Sequence, residues 1–238
     1  MRQSMENKIA LITGGSKGIG YGIAAALISE GMHVAITSRS LAAAQKAADE
    51  LNKLGKGKAL AIEADVRDFS SQEAAVGAVI NAWGKLDLLV ANAGIGHFAS
   101  IEDLTLAQWH ETIDTNLTGV FYSIKASIEA LKASKGLFIS ISSLAGTNFF
   151  ANGSAYNASK FGVTGFTQAA MLDLRKYGIR STTIMPGSVA TYFNDHTPNE
   201  KDAWKIQIED LGQMVVDLMQ MHPRTLPSKI EVRPSMPG

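Results

Sequence analysis

One doubly wound parallel α/β sheet, with six to seven strands between layers of helix, is what these 238 residues predict. Three observations lead there. Short apolar runs keep stopping at glycine- or serine-rich turns, as strands buried on both faces do. A longer stretch with helical spacing follows each run, so strand and helix alternate along the chain. Hydrophobic residues make up 46% of the sequence and charged ones 18%, enough apolar surface for a sizeable core without metal or disulfide. Residues 1–238 read as one domain, with 1–4 as an extension ahead of an alternative start at Met5.

The elements follow in order. Lys8–Thr13 (KIALIT) is the first strand and ends at glycines. Ile19–Glu30 is a helix stopped by Gly31, which suits a C-cap. His33–Thr37 is the second strand, Leu41–Leu54 a helix rich in Ala, Gln and Lys, Ala59–Glu63 the third strand, and Ser70–Trp83 the third helix. Leu86–Ala91 is again apolar and meets the turn Asn92–Gly96. Helices follow at Leu106–Asn116 and Gly119–Ala133, then strand Gly136–Ser142, a helix over Ala155–Tyr177, and strand Arg180–Met185 ending at Pro186-Gly187. A helix at Glu209–Met221 and a strand at Ser228–Arg233 complete the pattern, and Asn194–Lys201 reads as a loop over the sheet edge.

Composition excludes several functions. Lysine plus arginine equal aspartate plus glutamate at 22 each, without the basic excess or stripe of a nucleic-acid binder. There is no cysteine, hence no disulfide framework, zinc ribbon or thiol nucleophile. The histidines at 33, 97, 110, 196 and 222 lack metal-ligand spacing, so no metal is expected. No apolar run approaches a membrane span, and the polar N-terminus lacks a secretory core, so the expected location is cytoplasmic.

Thr13-Gly14-Gly15-Ser16-Lys17-Gly18-Ile19-Gly20 sits between the first strand and helix. In a doubly wound sheet a dinucleotide pyrophosphate binds there, at the positive end of a helix. Glycines supply positive φ and let backbone approach phosphate. The pattern Thr-Gly-x-x-x-Gly-x-Gly arises by chance about 0.01 times in such a chain. Specificity between dinucleotides is set at the end of the second strand, where Ser38 and Arg39 stand in place of a ribose-binding acid. Arg39 can bond a 2′-phosphate and Lys17 can add a second cation, which favours NADP(H) over NAD(H); the bland alternative makes Arg39 a solvated loop charge.

Tyr156 and Lys160 are four apart on a predicted helix and share a face. A phenol keeps its proton at neutral pH and can give it to an alkoxide, while a neighbouring ammonium stabilises the phenolate. Ser143, just past the strand that precedes this helix, can donate a hydrogen bond to the substrate oxygen. Without those neighbours the Tyr–Lys pair is an exposed helix contact.

These residues resemble the short-chain dehydrogenase/reductase family over nearly the whole chain. Thr13–Gly20 is similar to its cofactor turn, Asn92-Ala93-Gly94 to its Asn-Ala-Gly motif, and Tyr156 with Lys160 to its Tyr-x-x-x-Lys pair. The resemblance implies a Rossmann-type fold and a catalytic tetrad of Asn116, Ser143, Tyr156 and Lys160. Ser143 is preferred to Ser142 by its offset of thirteen from the tyrosine. It implies that Asn116 holds a water linked to Lys160, that Lys160 binds the nicotinamide ribose, and that Asp65-Val66 contacts adenine. Pro186, Gly187, Val189 and Thr191 are similar to the segment that binds the carboxamide, with Thr191 as the contact. Ala91 departs from the common pattern of two asparagines, at the expense of a turn hydrogen bond. The segment after Thr191 is short, which implies an open site.

The reaction implied is transfer of the pro-S hydride between NADP(H) and a carbonyl or secondary alcohol, with a 3-oxoacyl thioester reductase as the nearest specific activity. His97, Phe98, Thr147, Phe149, Phe150, Tyr192 and Phe193 could line the pocket, and Phe149 and Phe150 equally suit a subunit interface. The resemblance implies a homodimer or homotetramer through the helices around Gly119–Ala133 and Ala155–Tyr177. A second class of function, an NADP(H)-sensing protein without chemistry, predicts a broken tetrad; all four residues are present.

Overall fold

The computed structural model describes residues 3–236; Met1 and Arg2 of the expected extension lie outside the described residues. Gln3 donates its N–H to the Gln220 carbonyl at 3.2 Å, and Met5 is 3% exposed within the core.

The strands β1 (Ile9–Ile12), β2 (His33–Ser38), β3 (Ala59–Glu63), β4 (Leu88–Ala91), β5 (Leu137–Ile141), β6 (Arg180–Pro186) and β7 (Lys229–Val232) form one seven-stranded sheet. Its order is β3-β2-β1-β4-β5-β6-β7, with every neighbouring pair parallel. The helices are α1 (Gly18–Ser29), α2 (Leu41–Asn52), α3 (Phe69–Trp83), α4 (Leu106–Ile113), α5 (Gly119–Ser134), α6 (Ser154–Leu174) and α7 (Ile208–Gln220). The chain builds outward from β1 to β3, crosses back to β4, and builds outward again. That reversal opens a crevice above the carboxyl ends of β1 and β4. Ile12 pairs with both Ile36 and Val90, so the chain leaves the sheet at Thr13 close to where it leaves at Asn92.

Alternation along β1 explains why its apolar run is continuous. Ala10 and Ile12 join one core with Ile23 and Leu27 of α1, Leu51 of α2 and Val215 of α7. Ile9 and Leu11 point the other way, to Val79 of α3, Ile124 of α5 and Val163 of α6. A strand covered on both faces has no polar side. At the edge, β7 alternates exposed Lys229 and Glu231 with half-buried Ile230 and Val232, and charges there discourage pairing with another chain.

Helix starts follow side-chain capping. Ser40 accepts the Ala43 N–H at the start of α2, Asp68 accepts that of Ser70 at α3, and Thr105 with Gln108 forms a reciprocal box at α4. By contrast α1, with Lys17 at its N-cap, has no side-chain cap. Its first N–H groups stay available to another partner.

Most boundaries shift by one to three residues from the sequence expectation, as where α6 ends at Leu174 and not at Tyr177, and three differences bear on the site's surroundings. β4 begins at Leu88, not Leu86, because Asp87 turns its carboxylate to accept the Ile9 N–H at 2.8 Å. The two helices expected at Leu106–Asn116 and Gly119–Ala133 are one continuous run joined by a π turn, Asp114–Thr118. The expected loop Asn194–Lys201 overlaps two short 3₁₀ turns, Phe193–Asp195 and Glu200–Asp202. No helix among the described residues is long and apolar enough to cross a membrane, and none of their His, Asp or Glu side chains form a metal-sized group.

Candidate active site

The turn after β1 is stapled to the turn after β4. Thr13 Oγ1 accepts the N–H groups of Asn92 and Ala93 at 3.0 and 3.1 Å. Asn92 Nδ2 donates to the carbonyls of Thr13 and Gly14 at 2.9 and 3.0 Å. The amide at 92 thus holds the turn from its own side, with Ala91 taking no part. Gly14 has φ +66°, and a Cβ there would stand 2.9 Å from the Ala93 Cα. At Gly20 a Cβ would meet Asn92 Nδ2 and the Gly14 carbonyl, both at 2.6 Å. Both positions therefore exclude a side chain.

A cleft of about 800 Å³ runs along the carboxyl edge of the sheet. It is bordered by Gly14, Ser16, Lys17, Gly18 and Ile19 from the glycine turn, Ser38 at the end of β2 and Arg39 just past it, and Asp65 and Val66 beyond β3. Asn92, Ala93 and Gly94 line its floor, Ser143, Tyr156 and Lys160 one wall, and Pro186, Gly187, Val189 and Thr191 another. Of the site residues expected from sequence, Gly20 and Asn116 alone do not border it. Gly20 lies buried behind the turn.

This end of the cleft fits a dinucleotide. The uncapped start of α1 meets it, where a helix favours an anion. Lys17 and Arg39 are exposed, and among the described residues neither has an ion-pair partner. Thr37 Oγ1, buried and bordering the cleft, has no hydrogen-bond partner among them. Asp65 is engaged by Arg67 at 2.6 Å, which holds its carboxyl below the usual range. Val66 packs against Gly119, so it offers an apolar surface to the cleft.

At the other end Tyr156 and Lys160 project from one face of α6. Lys160 is 4% exposed and donates from Nζ to the Ile141 carbonyl at 3.0 Å; its Nζ lies 5.7 Å from the Tyr156 ring centre. Burial brings its ammonium down to about 8. Burial also pushes the Tyr156 phenol above its ordinary value, and a hydrogen bond with Ser143 pulls it part of the way back. The lysine was expected to lower the phenol, but here desolvation of the phenol dominates.

The neighbouring serines do different things. Ser142 is buried and donates from Oγ to the Lys160 carbonyl at 2.9 Å, tying β5 to α6. Ser143 Oγ accepts the Ala145 N–H at 3.1 Å and faces the cleft beside Tyr156. Asn116 sits in the π turn, a local widening of the helix that recurs at functional sites. Its amide accepts the Ile95 N–H at 2.8 Å and donates to the Ile95 carbonyl and Ser159 Oγ at 2.9 and 3.0 Å. The side chain therefore fixes the turn at Ile95, and its Oδ1 and the Lys160 Nζ both flank Gly94.

Aromatic rings surround the phenol. Ring centres of Phe98 and Phe193 lie 5.4 and 5.7 Å from that of Tyr156, and Phe150 lies 6.0 Å from Phe98. His97, Tyr192 and Phe193 border the cleft, whereas four expected pocket residues, Phe98, Thr147, Phe149 and Phe150, do not. Phe149 is 87% exposed, and Thr147 turns its hydroxyl to the Leu144 carbonyl at 3.2 Å. Sequence reasoning missed the charges at the mouth. Glu111 meets His97 at 2.9 Å, and Asp202 holds both His196 and Lys205 at 2.6 Å. Those partners, with the Asn199 N–H, keep the Asp202 carboxyl far below the usual range. The spacing of Asp202 and Lys205 was the one available signal.

Known proteins share this architecture. The profile of the short chain dehydrogenase family matches residues 8–202. The chain is 42% identical over 189 residues to trans-4-hydroxycyclohexanecarboxylate dehydrogenase of Sinomonas cyclohexanicum, covering 77% of this chain and 73% of that one. It is 40% identical over 193 residues to cyclohexanol dehydrogenase of Acinetobacter sp. (strain SE19), covering 80% and 76%. Its fold is similar to that of an alcohol dehydrogenase from Thermococcus sibiricus complexed with 5-hydroxy-NADP. The TM-score is 0.88 at 29% identity, covering 96% and 97% of the two chains.

Proposed function

This chain belongs to the short-chain dehydrogenase family, whose oxidoreductases act on alcohol and carbonyl groups, and we propose that it uses NADP(H) to interconvert a ketone and a secondary alcohol. The observation that carries this reading is that Ser143, Tyr156 and Lys160 border the same cleft as the uncapped start of α1 and the free cations Lys17 and Arg39.

When bound, the nicotinamide supplies hydride to the carbonyl carbon or takes it from the alcohol. Tyr156 Oη gives its proton to the substrate oxygen, and its burial keeps that proton in place at neutral pH. Ser143 Oγ donates a hydrogen bond to the same oxygen as charge grows there. Lys160 stabilises the phenolate left behind, an effect strengthened by its own burial, and binds the nicotinamide ribose. Asn116 holds Ile95, and with it the floor of the site, in register with Ser159 of α6. The backbone of Gly14, Ser16, Gly18 and Ile19 receives the pyrophosphate, with Gly20 permitting the close turn. Ser38, Arg39 and Lys17 receive the 2′-phosphate, and Asp65 and Val66 flank the adenine. Asn92, Ala93 and Gly94 would border the bound cofactor, and Pro186, Gly187, Val189 and Thr191 would hold its carboxamide.

Two substrate types suit this chemistry: a 3-oxoacyl thioester, suggested by the family resemblance, and an alicyclic alcohol or ketone, as two relatives are named. A cofactor-sensing protein without chemistry finds no support, since its mark would be a missing tetrad residue. A homodimer or homotetramer in the cytoplasm completes the proposal; exposed Phe121 on α5 and Phe161 and Leu172 on α6 offer an apolar surface for assembly.

The test is oxidation of NADPH and NADH, side by side, against acetoacetyl thioesters, diketones, aldehydes and cyclic ketones. Turnover favouring NADPH is expected. No turnover with any carbonyl, despite NADPH binding, would contradict the enzyme reading.

A further inference from the structure

We propose that the pocket beside Tyr156 selects a compact, uncharged ring ketone or its alcohol and discriminates against the same ring carrying a carboxylate. This rests on the oxidoreductase reading above and narrows its substrate.

The shape argument begins with the rings. Phe98, Phe150 and Phe193 are 39%, 47% and 37% exposed, yet the rings of Phe98 and Phe193 pack at a tilt against that of the phenol that would give up its proton. Apolar surface gathered around a reactive group suits an apolar ligand. The rings also crowd the floor. A Cβ on Gly96 would meet Phe193 Cζ at 2.7 Å and Phe98 Cε2 at 2.8 Å. Apolar rings therefore crowd the space beside the phenol, which suits a compact apolar ligand.

Phe193 is held in place by its own segment. Asn194 and Asp195 follow it with φ +55° and +56°. Beyond them Asp202 grips His196, Lys205 and the Asn199 N–H. Buried Asp202 thus anchors the segment that carries the ring.

Charge supplies the second argument. Every lysine and arginine bordering this end is already engaged. Lys205 is held by Asp202 at 2.6 Å, and Lys160, though charged, is 4% exposed with its Nζ donating to the Ile141 carbonyl; Arg67, held by Asp65 at 2.6 Å, borders the end where Asp65 lies. His97 is held by Glu111 at 2.9 Å. Lys17 and Arg39, the cations without acidic partners, border the far end. Two carboxylates, Glu111 and Asp195, border the near end, and among the described residues no lysine or arginine lies within ion-pair distance of either. An anionic ring would leave water for aromatic rings and acidic neighbours, with no exposed, unpartnered cation at this end to receive it.

The experiment compares cyclohexanone with 4-oxocyclohexanecarboxylate in the intact enzyme. Steady-state kinetics with NADPH are paired with saturation-transfer NMR, which reports ring binding without turnover. The expected result is kcat/KM about tenfold or more higher for cyclohexanone. Glu111→Gln should raise the carboxylate's kcat/KM about threefold relative to cyclohexanone, and so should raising NaCl from about 20 to 500 mM. Equal or better use of the carboxylate ring overturns the inference, as does a thioester turned over better than either ring, or no binding of cyclohexanone. Selective binding of cyclohexanone without turnover would support the pocket's selectivity while sinking the oxidoreductase reading.

Discussion

The glycine-turn end of the cleft is made of main chain, and the aromatic end is made of side chains. At the first, uncapped N–H groups of α1, two exposed cations and glycines that exclude any Cβ present a surface that reads charge and close approach. At the second, rings from Phe98 and Phe193 meet the phenol, Phe150 packs on Phe98, and His97 and Lys205 are held by carboxylates. A backbone-built surface suits one invariant ligand group such as a phosphate. A side-chain-built surface can change its preference with a few substitutions while the sheet stays the same.

Substitutions should therefore separate the two ends. The largest effect is expected from Tyr156→Phe, which removes the proton donor and should lower kcat about 10²-fold or more. NADPH affinity, followed by fluorescence titration, should stay within about twofold; a parallel loss of affinity would merge the two ends. Next, Ser38→Asp with Arg39→Val should shift the ratio of kcat/KM for NADPH over NADH about 10²-fold toward NADH. Charge-assisted hydrogen bonds to the 2′-phosphate are replaced by repulsion, and the ketone KM should hold steady. An unchanged cofactor ratio would remove Arg39 from recognition.

Third is pH. Burial holds the Lys160 ammonium at about 8, so its charge is present below that pH and lost above it, while the raised Tyr156 phenol stays protonated. Carbonyl reduction should fall about tenfold per unit above pH 8. A profile flat to pH 9.5 would show that the lysine's charge is not needed. The smallest effect is on folding: Asn92→Ala removes the bonds to the Thr13 and Gly14 carbonyls and should cost about 1–2 kcal/mol in urea unfolding. Phe193→Ala, at the exposed mouth, should cost less and change ketone selectivity instead.

The same contrast governs what could be read from the sequence. The glycine turn was legible because its chemistry lies within Thr13–Gly20, a contiguous stretch whose residue types have one physical use. The alternation of strands and helices was legible because burial on both faces writes itself as uninterrupted apolar runs. The π turn was not: five residues of altered winding inside Leu106–Ser134 leave the apolar spacing nearly unchanged, so Asn116 read as the end of one helix. Asn92 was placed in the turn, but its bonds to Thr13 and Gly14 span nearly eighty positions, and no local pattern announces them. Thr147 and Phe149 were expected to line the pocket, with a subunit interface as the equal alternative for Phe149, yet loop direction sends one to the Leu144 carbonyl and the other to solvent. The Glu111–His97 and Asp202–Lys205 pairs depend on how loops fold over the sheet edge.

The most direct measurement is oxidation of NADPH and NADH at pH 7 by one cyclic ketone, in wild type and in Tyr156→Phe. Turnover at least about tenfold faster with NADPH in kcat/KM, and lost in the variant, is the expected result. Turnover that survives in Tyr156→Phe, or that runs as well with NADH, would contradict the assignment of the phenol or of Arg39.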